Sequence, residues 1–181
     1  MAETLRDPYQ LGNYYDMMPI PAIPEHCISL DAGPLRLVVE SRQLTDELAH
    51  AAMSAAIEAE ADRREELGLD DYGATLHVYG TDDGLEHLRF DCFENEPHYH
   101  YVRNADGGNL ICRIDQHAEG DPIDWTLDRL RKRLPEMLEF AGVPELAADA
   151  RAHNAAIDAV IDEVAELLGK ARVQAIADRD R

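Results

Sequence analysis

The chain has 181 residues, with 17 basic against 37 acidic side chains and a formal net charge of −20. Such an excess of acid disfavours nucleic-acid phosphate and anionic membrane as partners, because each would meet a surface of its own sign. The length suits one domain that buries a core unaided, and three cysteines (Cys27, Cys92, Cys112) without CxxC spacing encode neither a disulfide framework nor a thiolate zinc site.

The first residues lack a basic segment leading into an apolar run, and no stretch approaches the roughly 18 apolar residues of a membrane helix, so a reduced cytoplasmic location is expected. Residues 7–34 carry Pro8, Pro19, Pro21, Pro24 and Pro34 among Tyr9, Tyr14, Tyr15, Met17, Met18, Ile20 and Ile23. Proline at that density forbids helix and central strand, whereas the aromatic and apolar content is too high for a solvated tail. Residues 1–34 are therefore read as an extended arm lying across its own domain or across a neighbouring subunit.

Leu35–Glu40 is β-branched and short, and reads as a strand. A helix over 43–67 follows, opened by Thr45 with Asp46 and Glu47 in its first turn and closed by Gly68, with a thin buried face of Leu48, Ala52, Ala55 and Ala59. Four strands, at 74–79, 85–93, 98–104 and 109–115, are separated by Thr-Asp-Asp-Gly, Glu-Asn-Glu-Pro and Ala-Asp-Gly-Gly turns, which implies an antiparallel meander.

Asp121-Pro122 opens the next helix, with Pro135 expected to kink or split it and Gly142 to end it. From Pro144 a single long helix is expected to about residue 178. Leu146, His153, Val160 and Leu167 recur at seven, as do Ala150, Ile157, Val164 and Ala171, a seam of coiled-coil type that calls for a partner helix, in another subunit or at 43–67. The fold class is thus α+β: a four-stranded antiparallel meander covered on one face by helices, organised as an arm (1–34), an α+β domain (35–142) and a long C-terminal helix (143–181).

The turns also suggest a register. Four-residue loops at 94–97 and 105–108 set Cys92 opposite Tyr99, Asp91 opposite His100, His100 opposite Arg113 and His98 opposite Asp115; a five-residue loop at 80–84 sets His77 opposite His87. One face then collects Leu76, Val78, Leu88, Phe90, Cys92, Tyr99, Tyr101, Leu110, Cys112 and Ile114. The other collects His77, His87, Arg89, Asp91, His98, His100, Arg113 and Asp115.

On that polar face His98, His100 and Asp91 form a His/His/carboxylate set suited to one divalent transition metal, zinc, iron or manganese, with Arg89 or Arg113 holding an anionic ligand group and His77 and His87 nearby. Without metal, Asp91 would orient His100 as a general base, making these two the catalytic candidates. A plainer account of the same residues is a lattice of cross-strand ion pairs on a half-exposed sheet. Cys92 and Cys112 face inward and read as small core residues.

The run Leu88-Arg-Phe-Asp-Cys-Phe-Glu-Asn-Glu-Pro-His-Tyr-His-Tyr101, followed by Asp121-Pro-Ile-Asp-Trp-Thr-Leu-Asp-Arg-Leu-Arg-Lys-Arg-Leu-Pro-Glu-Met-Leu138, resembles an uncharacterised bacterial domain family over residues 74–141. The resemblance supports a sheet-plus-helix unit and implies no activity. The expected function is an accessory or assembly subunit, a homo-oligomer or part of a hetero-complex, associating through the arm and the C-terminal helix. The alternatives are a small metal-dependent hydrolase, lyase or isomerase and a small-molecule binding module.

Overall fold

The computed structural model describes residues 10–56 and 68–180, framed by one antiparallel sheet of seven strands. In chain order these are β1 (Asn13–Tyr15), β2 (Cys27–Ala32), β3 (Leu35–Thr45), β4 (Asp70–Gly80), β5 (Glu86–Phe93), β6 (His98–Arg103) and β7 (Gly108–Arg113), arranged as β1-β7-β6-β5-β4-β3-β2. The expected meander is β4 to β7. Strands β3 and β2 extend it on one side and β1 on the other, so the four-stranded expectation becomes a seven-stranded sheet. Both strands supplied by the Pro-rich arm are edge strands, where a missing backbone donor disrupts no ladder. A two-residue Gly33-Pro34 turn joins β2 to β3, with Gly33 at φ 65, the positive value that the first position of a type II′ hairpin turn requires.

The helices are α1 (Asp46–Ala56), α2 (Gln116–Glu119), α3 (Pro122–Lys132), α4 (Leu134–Ala141), α5 (Pro144–Ala152) and α6 (Asn154–Arg179). The helix expected at 43–67 begins at Asp46, because 43–45 complete β3; its stretch 57–67 lies outside the described residues. Asp121 caps α3 by accepting the Ile123 N–H, with Pro122 in the first turn. Pro135 separates α3 from α4 as expected, and Gly142, at φ 95, ends α4 in the left-handed conformation open to glycine.

The single long helix expected from Pro144 is divided at His153, and its seam does not seek another helix. Ile157, Ile161, Val164, Leu168 and Ala175 are its buried stripe, spaced by four, three, four and seven, and they press on the sheet, chiefly β3 and β4. Ile157 and Val164 belong to the expected seam, whereas Leu146, Val160 and Leu167 are only half-buried and His153 is exposed. With α3 and α4, this stripe encloses the core over Leu37, Val39, Leu76, Val78, Leu88, Phe90, Cys92, Leu110 and Cys112. Cys92 is a core residue, its thiol donating to the Pro122 carbonyl and pushed up to about 12 by burial.

The register differs from the expected one by two residues in every hairpin. Thr75 faces Asp91, His77 faces Arg89, Asp91 faces His98, Arg89 faces His100 and His100 faces Ile111. Side chains alternate with period two, so a slip of two exchanges cross-strand neighbours but leaves the paired residues on their expected faces. The apolar face is the core; the polar face is not half-exposed but roofed by the arm.

Candidate functional site

Two adjacent rows cross the polar face. One runs Glu40, Thr75, Asp91, His98 over β3, β4, β5 and β6; the next runs Val38, His77, Arg89, His100, Ile111 over β3 to β7. All but His98 and Ile111 are buried, and the His98 side chain is nearly so. Residues 17–23 of the arm cross above as a strap tied by side chains of the sheet. Asn109 donates to the Met17 carbonyl (2.7 Å), Arg89 and Arg42 to the Ile20 carbonyl (2.8 and 3.1 Å), Arg42 also to that of Pro21, and Glu40 accepts the Ile23 N–H (2.9 Å). Proline leaves carbonyls in this strap free of helix or ladder partners, and buried guanidinium groups satisfy them.

Beneath the strap, three cationic side chains share two carboxylates. Arg42 bonds Glu40 at 2.7 Å, Arg89 grips Glu86 through Nε (2.8 Å) and Nη2 (2.7 Å), and His77 stands between Glu86 (Nδ1, 2.6 Å) and Glu40 (Nε2, 3.0 Å). An imidazole with a carboxylate at each nitrogen donates from both, hence is an imidazolium. Burial alone would lower the His77 pKa, but Glu40 and Glu86 outweigh it and the value stands raised. Burial likewise opposes ionisation of Glu86, yet Arg89 and His77 bring it to about 2.

The second cluster holds Asp91, His98 and His100, whose metal-ligating atoms lie within 4.8 Å of one another. Asp91 Oδ2 is 2.9 Å from His100 Nε2 and 3.2 Å from His98 Nε2, and Thr75 donates to Asp91 Oδ1 at 2.5 Å. The far side of each ring fixes its protons. His98 Nδ1 is 2.7 Å from the Glu96 carbonyl, which only accepts. His100 Nδ1 is 2.8 Å from Asn109 Oδ1, and Asn109 is oriented by its own donation to Met17. Both Nδ1 atoms therefore carry hydrogen, and both Nε2 atoms turn toward the carboxylate.

For neutral rings, that is three lone-pair atoms converging on one point. Asp91 is held well below the usual carboxylate range: burial opposes ionisation, and the imidazoles of His100 and His98 against it outweigh burial. Burial would lower His98, but Asp91 raises it on balance; in His100 burial prevails and the pKa is lowered. A proton on His98 thus satisfies one contact and leaves neutral His100 with its lone pair against the carboxylate. A divalent cation resolves all three. Two ligands about 2.1 Å from a metal and about 90–110° apart lie about 3.0–3.4 Å from each other, near the 2.9 and 3.2 Å that separate Asp91 Oδ2 from the two imidazole nitrogens. The Nδ1 acceptors are the partners that metal-bound imidazoles characteristically have.

A cavity of about 420 Å³ opens beside this cluster between the strap, the sheet and α1. Met17, Met18, Ile20, Leu44, Phe93 and Ile111 supply apolar wall, and Asp91, His98 and His100 lie along its polar edge.

Of the residues expected at the site, Asp91, His98 and His100 are together, and His77 and Arg89 lie in the adjoining buried network. His87 is not there. A bulge between Val78 and Tyr79 moves it out, and it bonds Asp83 (2.9 Å) at the hairpin end while Glu86 takes the place beside His77. Arg113 lies outside the cavity, its side chain 74 % exposed and paired with Glu96, and Asp115 caps α2 rather than facing His98. Glu40, Arg42, Glu86, Thr75 and Asn109 were missed. Parity along Arg36, Val38, Glu40 and Arg42 assigns Glu40 and Arg42 to the polar face once β3 is paired with β4, and parity with Arg113 does the same for Asn109. No local signal marks the bulge that brings in Glu86.

Residues 29–168 match the model of a family described as a domain of unknown function, DUF7700, and the chain belongs to that family. No curated protein and no solved structure matches it. Among the described residues no helix is long and apolar enough to cross a membrane.

Proposed function

We propose that this protein is a mononuclear metal-dependent enzyme in which Asp91, His98 and His100 hold one divalent transition ion. One observation carries the reading: both imidazoles are locked with hydrogen on Nδ1, so Nε2 of each and Oδ2 of Asp91 converge as a ligand set. Three protein ligands leave coordination positions for water or a substrate oxygen. The ion would lower the pKa of a bound water and polarise a carbonyl, chemistry shared by hydrolases, lyases and isomerases. Asp91 then acts as a ligand and not as the orienting partner of a general base.

The test is calorimetric titration of chelator-stripped protein with Zn²⁺, Mn²⁺ and anaerobic Fe²⁺, followed by incubation of the loaded protein with a small-metabolite extract. One ion per chain and a metal-dependent product are expected. Absence of uptake sinks the metal reading, and uptake with retention of a metabolite but no conversion makes the protein a binding module.

An assembly role has its own supporting observation. The arm exposes Leu11 (51 %), Tyr15 (43 %) and Met18 (43 %), a larger apolar run than a solvated edge needs. The C-terminal helix no longer supports it, since its stripe is spent on the sheet. Native mass spectrometry over a concentration series, showing a dimer or higher form that Leu11→Ser with Met18→Ser disperses, supports this role; a monomer throughout removes it.

A further inference from the structure

The cavity beside the triad has walls whose chemistry selects the ligand, and the geometry points to a predominantly apolar small molecule whose one polar group is an oxygen-based metal-binding head. This rests on the metal reading above and adds the substrate class. Apolar groups form most of the lining: Met17, Met18 and Ile20 from the strap, Leu44, Phe93 and Ile111 from the sheet. Two guanidinium groups also reach it, those of Arg42 and Arg89, and either alone would suggest a carboxylate or phosphate ligand.

Neither carries an unpaired charge. Arg89 spends Nε and Nη2 on Glu86 and Nη1 on the Ile20 carbonyl; Arg42 spends Nη1 on Glu40 and Pro21 and Nη2 on Ile20. Each positive charge is cancelled by a carboxylate within 2.7 Å. His77 is not part of the lining, so a second anionic group on the ligand would enter a largely apolar space whose walls hold no unpaired cation, a cost that burial makes large. The polar edge is the triad itself, so the oxygen head belongs at the metal and the remainder of the molecule lies along Met17, Ile20, Leu44 and Ile111. A volume of about 420 Å³ is within the usual range for small-molecule sites.

The probes are three hydroxamic acids with the same metal-binding head: acetohydroxamic acid, hexanohydroxamic acid and the monohydroxamic acid of adipic acid, whose far end is a carboxylate. Each is titrated by calorimetry into Zn²⁺-loaded full-length protein. Each methylene transferred from water to an apolar wall strengthens binding about fourfold. Hexanohydroxamic acid is expected to bind at least tenfold more tightly than acetohydroxamic acid and at least tenfold more tightly than the adipic compound.

Equal binding of all three, or preference for the adipic compound, overturns the assignment, as does failure of all three on protein that has taken up Zn²⁺. Failure to take up Zn²⁺ is a different result and overturns the metal reading beneath it. Met18→Glu, beside Met17 in the strap's wall of the cavity, is expected to weaken hexanohydroxamic acid at least tenfold more than it weakens acetohydroxamic acid. No change in either overturns the placement of the apolar tail along the strap.

Discussion

Asn109 accepts the Nδ1 proton of His100 at 2.8 Å and with its other end donates to the Met17 carbonyl at 2.7 Å, so one amide fixes both a metal-ligand candidate and the strap above it. In Asn109→Leu the imidazole loses the acceptor that fixes its tautomer, and the Met17 carbonyl of the strap loses its donor. Zn²⁺ affinity, measured by chelator competition, should fall about 10- to 100-fold, the usual cost of removing an outer partner from a metal-bound histidine. An unchanged affinity would mean that Asn109 serves the strap alone.

Metal affinity should depend on pH through His98. Its pKa is raised in the metal-free protein because the pull of Asp91 outweighs burial, so a proton must leave Nε2 before metal binds. Below that pKa affinity should rise about tenfold per pH unit and flatten above it. Calorimetry in two buffers of different ionisation enthalpy reports the released proton directly; zero release at a pH where His98 is protonated contradicts the assignment.

The His77 network predicts a pH-dependent stability. A raised histidine pKa contributes stability that is complete below the unfolded value, about 6.5, and lost as pH rises through the folded value. His77→Gln should therefore cost about 3–5 kcal/mol in urea unfolding of metal-free protein near pH 6, since Glu40 and Glu86 lose the cation between them, and less near pH 9. A cost independent of pH would mean that His77 is neutral.

On the opposite face the stripe of α6 predicts a pure stability effect. Ile161 is fully buried in the core, and Ile161→Ala should cost about 2–5 kcal/mol. Metal affinity should be unchanged in protein that remains folded, because the sheet separates the two faces. A parallel loss of metal binding would tie the faces together.

The division of the meander into an apolar and a polar face was legible in the sequence, and it survived a register wrong by two residues in each hairpin. The slip has a structural cause. Strand β5 continues to Phe93 against Gly73 of β4, but its last partner in β6 is Asp91 facing His98, so Cys92 and Phe93 belong to the strand on one side and to the turn on the other. The turn is held by Asp71, which accepts the N–H groups of Asn95 and Glu96 from 24 and 25 residues away. Nothing local encodes that contact.

The arm shows a second limit. Cys27-Ile-Ser-Leu-Asp-Ala before Gly33-Pro34 has the alternation of a strand, with Leu30 and Ala32 facing the core side, but the surrounding prolines masked it; edge position is what reconciles the two. Charged alternation likewise cannot tell an exposed face from a roofed one. The difference lies in Arg42, Arg89 and Asn109 reaching carbonyls of a segment 22, 69 and 92 residues distant. The metal-ligand candidates needed only parity; the cavity that gives them a substrate needed the strap.

Anomalous diffraction from crystals grown with Zn²⁺ reads out whether Asp91, His98 and His100 together bind one metal ion. The account predicts a single strong peak about 2.0–2.2 Å from Asp91 Oδ2, His98 Nε2 and His100 Nε2, absent in Asp91→Asn. A peak elsewhere with the triad empty, or an undiminished peak in the variant, would contradict it.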